Sequence, residues 1–126
     1  MKWMLNLLTV LAVLGCHAQA NSKMEQAATI EVVTFNVKPG VQIEQAKEKL
    51  TLLNECVQAF DGFIYRSFSV NEEGQWIDIV YWTSKEAALK AGEQVMNDPK
   101  AQEVFAIIDE SSMQMNHYSL LDTFNN

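Results

Sequence analysis

The sequence feature that most limits the fold is a hairpin in the middle of the chain. The segments FIYRSFSV (63–70) and QWIDIVYWT (75–83) are rich in β-branched and aromatic residues, and NEEG between them is a turn signal. An isolated pair of strands is only marginally stable in water. The rest of the chain must therefore supply further strands and helices that cover this pair.

The patterns on either side of the hairpin predict those elements. In chain order they are a strand over 29–37, a helix over 43–60, the two hairpin strands, a helix that follows Ser84 and is interrupted at Asn97-Asp98-Pro99 before running to 108, and a last strand over 112–121. The order β-α-β-β-α-β is that of a ferredoxin-like fold. We therefore predict an α+β domain with a four-stranded antiparallel sheet.

The first twenty residues, MKWMLNLLTVLAVLGCHAQA, predict an export signal because a short apolar run follows Lys2 and ends in a small-residue cleavage pattern. We expect a periplasmic or secreted protein released after Ala20. Alternatively, VLGC resembles a lipobox, and a lipid on Cys16 would then anchor the protein to a membrane. The expected organisation is an export signal over 1–20, a flexible lead over 21–28, the domain over 29–121 and a tail over 122–126.

Composition excludes several classes of partner and site. The formal net charge is −7 and the basic residues are scattered, which makes nucleic acid an unlikely partner on electrostatic grounds. Cys56 is the lone cysteine after the signal, and its place near an apolar helix stripe favours core packing over a reactive thiol. Neither a metal-binding spacing nor a phosphate-binding glycine loop is present, so we expect no metal and no cofactor.

Two helices cover only one face of a four-stranded sheet, so the strands decide what the other face meets. We expect Val33, Phe35, Val37, Ile77, Ile79 and Tyr81 to face the helices, and Ile30, Val32, Thr34, Asn36, Trp76, Asp78, Val80 and Trp82 to lie on the open face. The open set is too apolar to remain in water. We therefore predict a homodimer that packs sheet against sheet and encloses a cavity for a small hydrophobic or aromatic molecule.

Several segments together resemble the dimeric α+β barrel superfamily, specifically proteins of the antibiotic biosynthesis monooxygenase type. They are FNVKPG, the hairpin DGFIYRSFSVNEEGQWIDIVYWTSKEAA, the NDP helix break and SMQMNHYSLL, and the resemblance covers residues 29–121. Members of that superfamily include cofactor-independent oxygenases and heme-degrading enzymes. The heme-degrading type carries an Asn on the first strand, which Asn36 matches, with a Trp and a His on the second helix, which this chain lacks.

The candidate site residues follow from the open face and from the strand order that the resemblance implies. In that order the first strand lies between the third and the fourth, which places Asn36 or Thr34 between Asp78 and His117. The candidate catalytic residues are Asp78, His117 and Asn36, and the candidate substrate-binding residues are Trp76, Trp82, Thr34, Tyr65 and Met115. A carboxylate in an apolar cavity is a usable general base because desolvation raises its pKa. The alternative is structural, with Asp78 accepting hydrogen bonds from Arg66, Tyr65 or a serine, and His117 capping a hydrogen-bond network.

Two functional hypotheses remain open from the sequence. The first is an exported, cofactor-independent monooxygenase or a related enzyme that acts on a small aromatic or hydrophobic molecule at the dimer interface. The second is a non-catalytic dimer module that binds a small hydrophobic ligand or has a purely structural role.

Overall fold

The computed structural model describes residues 23–125. The elements are β1 (Thr29–Val37), α1 (Ile43–Val57), β2 (Phe63–Val70), β3 (Gln75–Trp82), α2 (Lys85–Val95), α3 (Pro99–Phe105) and β4 (Ile108–Ser119). The four strands form one antiparallel sheet in the order β2-β3-β1-β4. The ferredoxin-like fold and the position of β1 between β3 and β4 are therefore confirmed. The export signal and the lipidation site at Cys16 lie outside the described residues.

Local hydrogen bonds explain where the elements begin and turn. In the hairpin, Asn71 Oδ1 accepts from the backbone N–H of Gln75 at 2.8 Å, and Gly74 has a φ of 83°. Ser84 Oγ accepts from the N–H of Ala87 at 3.0 Å and so caps the N-terminus of α2. Asp98 caps α3 in the same way, with Pro99 in the first helical turn. These short polar residues end one element and start the next at the positions that the sequence predicts.

The helices pack on one face of the sheet and form two hydrophobic clusters with it. The larger cluster joins α1 and α3 to β1, β3 and β4, and its buried members are Phe35, Ala46, Leu50, Leu53, Trp76, Ala101, Val104 and Ile108. The smaller cluster joins α2 to β3 through Val80, Trp82, Ala88 and Ala91. The core therefore consists of two separate clusters, both between the helices and the sheet.

The face of β3 that packs under the helices is the opposite of the one predicted. Trp76, Asp78, Val80 and Trp82 are buried, whereas Ile77, Ile79 and Tyr81 are only partly buried. The register agrees, because Phe35 pairs with Trp76 and Val33 pairs with Asp78, and paired residues share a face. The prediction for β1 was correct and that for β3 was wrong. Both faces of β3 are apolar, so the prediction of which face lies inward depended on the charge of Asp78. That charge is neutralised by Arg66 of the same chain, which allows Asp78 to be buried.

Candidate functional site

A cavity of about 100 Å³ lies between the sheet and the helices of the single chain. Its walls come from both hydrophobic clusters and are apolar except for Glu31, Arg66 and Asp78. One water needs roughly 10–15 Å³ of such space, so the cavity is large enough for a small organic molecule. The sequence predicted a cavity between two sheets on the basis of outward-facing Asp78, Trp76 and Trp82. That basis is wrong, because all three side chains point under the helices.

Arg66 and Asp78 form a buried ion pair on the cavity wall. Arg66 Nε donates to the two Asp78 carboxylate oxygens at 3.0 and 3.1 Å, and Nη2 donates to Oδ2 at 2.6 Å. The remaining nitrogen, Nη1, donates to the carbonyl of Leu50 at 2.9 Å and to Asn54 Oδ1 at 2.7 Å. The side chains are only 2% and 10% exposed. The pair therefore connects β2 and β3 to the middle of α1.

This arrangement gives Asp78 a structural role. Burial raises the pKa of the Asp78 carboxyl, and the Arg66 guanidinium opposes that rise. Both carboxylate oxygens accept hydrogen bonds from Arg66. The guanidinium also lies over the ring of Phe68, with its carbon 4.8 Å from the ring centroid. Of the two roles left open for Asp78, the geometry favours acceptance from Arg66 over service as a base.

Glu31 and His117 form a second pair, on neighbouring strands of the same face. They lie opposite each other in the pairing of β1 with β4, and His117 Nε2 is 2.8 Å from Glu31 Oε2. The side chains are 14% exposed for His117 and 12% for Glu31. Burial raises the pKa of Glu31, with the nearby Asp78 charge acting in the same direction and the contact with His117 opposing both. Glu31 also lines the cavity, so it combines the two properties predicted for the general base, a raised pKa and a place on the cavity wall.

Trp82 contributes the only unpartnered buried side-chain polar atom among residues 23–125. Its side chain lines the cavity and packs edge-on against Phe63, with the ring centroids 5.9 Å apart. Its indole Nε1–H is buried without a hydrogen-bond acceptor. An indole N–H is a donor only, and a buried donor without a partner costs free energy. An acceptor that reaches this nitrogen would remove that cost.

The structure divides the predicted site residues between the two faces of the sheet. Asp78, His117, Trp76, Trp82 and Met115 lie on the helix-covered face, whereas Asn36, Thr34 and Tyr65 lie on the open face. The predicted row with Asn36 or Thr34 between Asp78 and His117 is therefore wrong. Side chains alternate along β1, so the residues between those two are Val33 and Glu31.

Individual members of the predicted set also differ in what they contact. Trp76 stacks on Phe35 at 6.5 Å between centroids and belongs to the core, while Trp82 lines the cavity. Met115 lines the cavity and is 51% exposed, which places it at the rim. Asn36 is exposed, and its backbone N–H donates to Ser112 Oγ at 2.8 Å. The match of Asn36 to the heme-degrading pattern therefore places no amide in this cavity.

Sequence reasoning missed Glu31. The predicted inward set of β1, at Val33, Phe35 and Val37, reaches Glu31 when it is continued by two residues toward the N-terminus. An acid on the inward face of a strand needs a partner, and His117 lies on the strand expected to pair with β1. The period-two pattern was thus a sufficient signal.

Residues 23–125 contain neither a metal-binding cluster nor a membrane-spanning helix. No group of three or more His, Cys, Asp or Glu side chains there is arranged to hold a metal ion. No helix in that part of the chain is long and apolar enough to cross a membrane.

No protein-family model and no curated protein matches the sequence. Among solved structures, a variant of SnoaB, a cofactor-independent oxygenase from Streptomyces nogalater, is similar with a TM-score of 0.64 and 15% identity, over 79% of this chain and 99% of that chain. The monooxygenase ActVA-Orf6 of Streptomyces coelicolor, in complex with nanaomycin D, has a TM-score of 0.60 and 14% identity, over 81% and 95%.

A third similar structure is described as a dimeric ferredoxin-like protein from an uncultured marine organism. Its TM-score is 0.57 at 16% identity, over 79% of this chain and 93% of that chain. The chain shares the ferredoxin-like fold of these structures. The resemblance to proteins of the antibiotic biosynthesis monooxygenase type is thereby confirmed at the level of the fold.

Proposed function

We propose that the protein is a cofactor-independent oxygenase that acts on a small aromatic molecule with an acidic hydroxyl, bound between the sheet and the helices. One observation carries the proposal: a largely apolar cavity, which also carries the Arg66–Asp78 pair on its wall, holds the Glu31 carboxylate paired with His117 and is lined by Trp82, whose N–H has no partner. Fold similarity to an oxygenase described as cofactor-independent supports the same reaction class.

The residues suggest how such a reaction proceeds. The Glu31–His117 pair takes the proton of a phenol or enol, because the raised pKa of Glu31 makes it a stronger base than an ordinary carboxylate. The Trp82 N–H donates to an oxygen of the resulting anion. That anion is electron-rich and reduces O₂ itself: one oxygen atom forms a C–O bond with the ring and the other leaves as water. All the electrons come from the substrate, so the step needs no added reductant.

Oxygen uptake with a dihydroxynaphthalene tests this proposal. We expect the wild type to consume oxygen and form a hydroxyquinone, and Glu31→Gln and His117→Ala to be slower by about 10²-fold or more, the usual size of a general-base contribution. Glu73→Gln, in the exposed hairpin turn, is the matched control and should leave the rate unchanged. Wild-type rates in both the Glu31 and the His117 variants would remove the proposal.

The second candidate is ligand binding without catalysis, and the almost wholly apolar lining of the cavity favours it. A ligand that binds only the folded state raises the unfolding temperature. A shift with naphthol but no oxygen uptake with any dihydroxyaromatic compound would support the binding function alone.

We further propose that two copies of the chain pair through the open face of the sheet. That face carries Ile30, Val32, Ile77 and Ile79, which are only partly buried in the single chain, and a protein of similar fold is described as dimeric. Sedimentation of the purified protein should give a dimer, and Ile79→Lys should shift it toward monomer. A wild-type monomer at high concentration would contradict the pairing.

Export, by contrast, depends on the first twenty residues and stays a proposal. We propose release after Ala20, with lipid attachment at Cys16 as the competing outcome. The mass of the mature protein distinguishes them, because lipidation keeps Cys16 as the first residue.

A further inference from the structure

Gly92 occupies a position where glycine has no apparent structural reason. It lies inside α2, which runs from Lys85 to Val95, and glycine is the poorest helix former after proline. Its backbone has no positive φ that would require glycine. Close packing is not the reason either, because a Cβ built on Gly92 would meet no heavy atom within 4 Å.

Gly62 shows what a packing glycine looks like in the same protein. A Cβ there would lie 2.6 Å from both Ala87 Cβ and Thr83 Oγ1, and the φ of Gly62 is 84°. Gly92 meets neither condition. It does line the cavity, together with Ala91 and Val95 of the same helix. The absence of a side chain at Gly92 therefore leaves open space at the cavity wall.

A second observation links this space to a ligand. Trp82 lines the same cavity, is 1% exposed, and carries the buried indole N–H without an acceptor. An apolar cavity with bare backbone on the helix side and an unused donor among its lining residues suits a flat molecule with an oxygen. A flat ring would find room against the helix backbone at Gly92, where another residue would place a side chain.

We propose that Gly92 sets the size of the ligand, admitting a fused two-ring aromatic hydroxyl compound where a larger side chain would admit only a single ring. The inference rests on the proposed function for the location of the ligand, and it adds the residue that determines which molecules fit. It does not depend on whether the bound molecule is oxidised.

Calorimetric titration of phenol and naphthol into wild type, Gly92→Ala and Gly92→Leu tests the inference. We expect naphthol affinity to fall by about tenfold or more in Gly92→Leu, with an intermediate loss in Gly92→Ala, since filling a tight site is costly. Phenol affinity should change by less than about threefold, roughly half a decade of binding constant. Gln94→Leu, at an exposed position of the same helix, is the control and should bind both probes like the wild type.

Stability gives an independent readout if Gly92→Leu folds poorly. We expect Gly92→Ala to unfold at a higher denaturant concentration than the wild type, because alanine is the better helix former and its methyl group meets no neighbour. A lower midpoint would mean that Gly92 is needed for packing and would overturn the inference. Unchanged naphthol affinity in Gly92→Leu, or a wild type that binds neither probe, would overturn it as well.

The two proposals fail separately. A wild type that binds naphthol in a Gly92-dependent way but takes up no oxygen with dihydroxynaphthalene supports the role of Gly92 and contradicts the oxygenase. Oxygen uptake with the same substrate-size preference in the wild type and in Gly92→Leu supports the oxygenase and contradicts the role of Gly92.

Discussion

Breaking the Arg66–Asp78 pair should destabilise the protein far more than removing the whole pair. Asp78→Leu leaves a guanidinium that is 2% exposed without its carboxylate, and Arg66→Met leaves a carboxylate that is 10% exposed without its cation. Removing one partner of a buried pair costs about 3–5 kcal/mol, whereas replacing both by apolar residues of similar volume is often neutral. The contact of Arg66 with Asn54 adds little, since Asn54 is exposed and can bind water instead.

Urea unfolding of the wild type, the two single variants and the double variant measures this coupling. A loss of about 4 kcal/mol at an m value of about 2 kcal/mol/M lowers the midpoint by about 2 M. We expect the double variant to lose less than either single variant, which gives a coupling free energy of about 3 kcal/mol or more. Protein concentration must be equal throughout, because dimer formation makes stability concentration-dependent. Single variants that each lose less than about 1 kcal/mol, or losses that simply add, would refute the structural role of Asp78.

Three further predictions concern other sites in the chain. Burial raises the folded-state pKa of Glu31 above its ordinary value of 4.5, so the folded protein holds this proton more tightly than the unfolded chain does. The free energy of unfolding of the wild type, relative to that of Glu31→Gln, should therefore fall as pH rises through the range just above 4.5, and a relative rise would contradict the raised pKa. Burial, and to a smaller extent the Asp98 carboxylate, raises the pKa of Cys56 to about 11. Iodoacetamide at pH 8 should therefore label this thiol in urea and spare it in the native protein, and rapid labelling of the native protein would contradict its core position. Gly62→Ala and Gly74→Ala both force a residue into a left-handed conformation, at a cost of about 1–3 kcal/mol. Only Gly62→Ala also places a Cβ 2.6 Å from its neighbours, so it should lower the urea midpoint more than Gly74→Ala does, and equal losses would contradict the close approach.

The elements were predictable because their signals are local. The β-branched run that forms β1, the hairpin turn at Asn71, the cap at Ser84 and the Asp98-Pro99 break each depend on residues a few positions apart. The order of the strands then followed from the fold. The last strand begins at Ile108, earlier than its apolar pattern at 112, because Ile108 pairs with Val37 beyond an irregularity in the register near Thr34 and Asn36.

The site was harder to predict because it depends on the phase of one strand. Both faces of β3 are apolar, so alternation alone does not decide between them, and the charge of Asp78 favours placing its face outward. Its place under the helices is possible only because Arg66, on the neighbouring strand, supplies three hydrogen bonds to it. Pairings of this kind depend on register and side-chain direction, which periodicity does not specify. The cavity itself arises from a gap between two clusters, and no single segment encodes it.

A crystal structure of the protein with naphthol would locate the ligand site. We expect density between the sheet and the helices of each chain, with the naphthol oxygen within hydrogen-bond distance of Glu31 or of the Trp82 indole nitrogen. Density on the open face beside Tyr65 and Asn36, with the space beneath the helices closed by side chains, would contradict it.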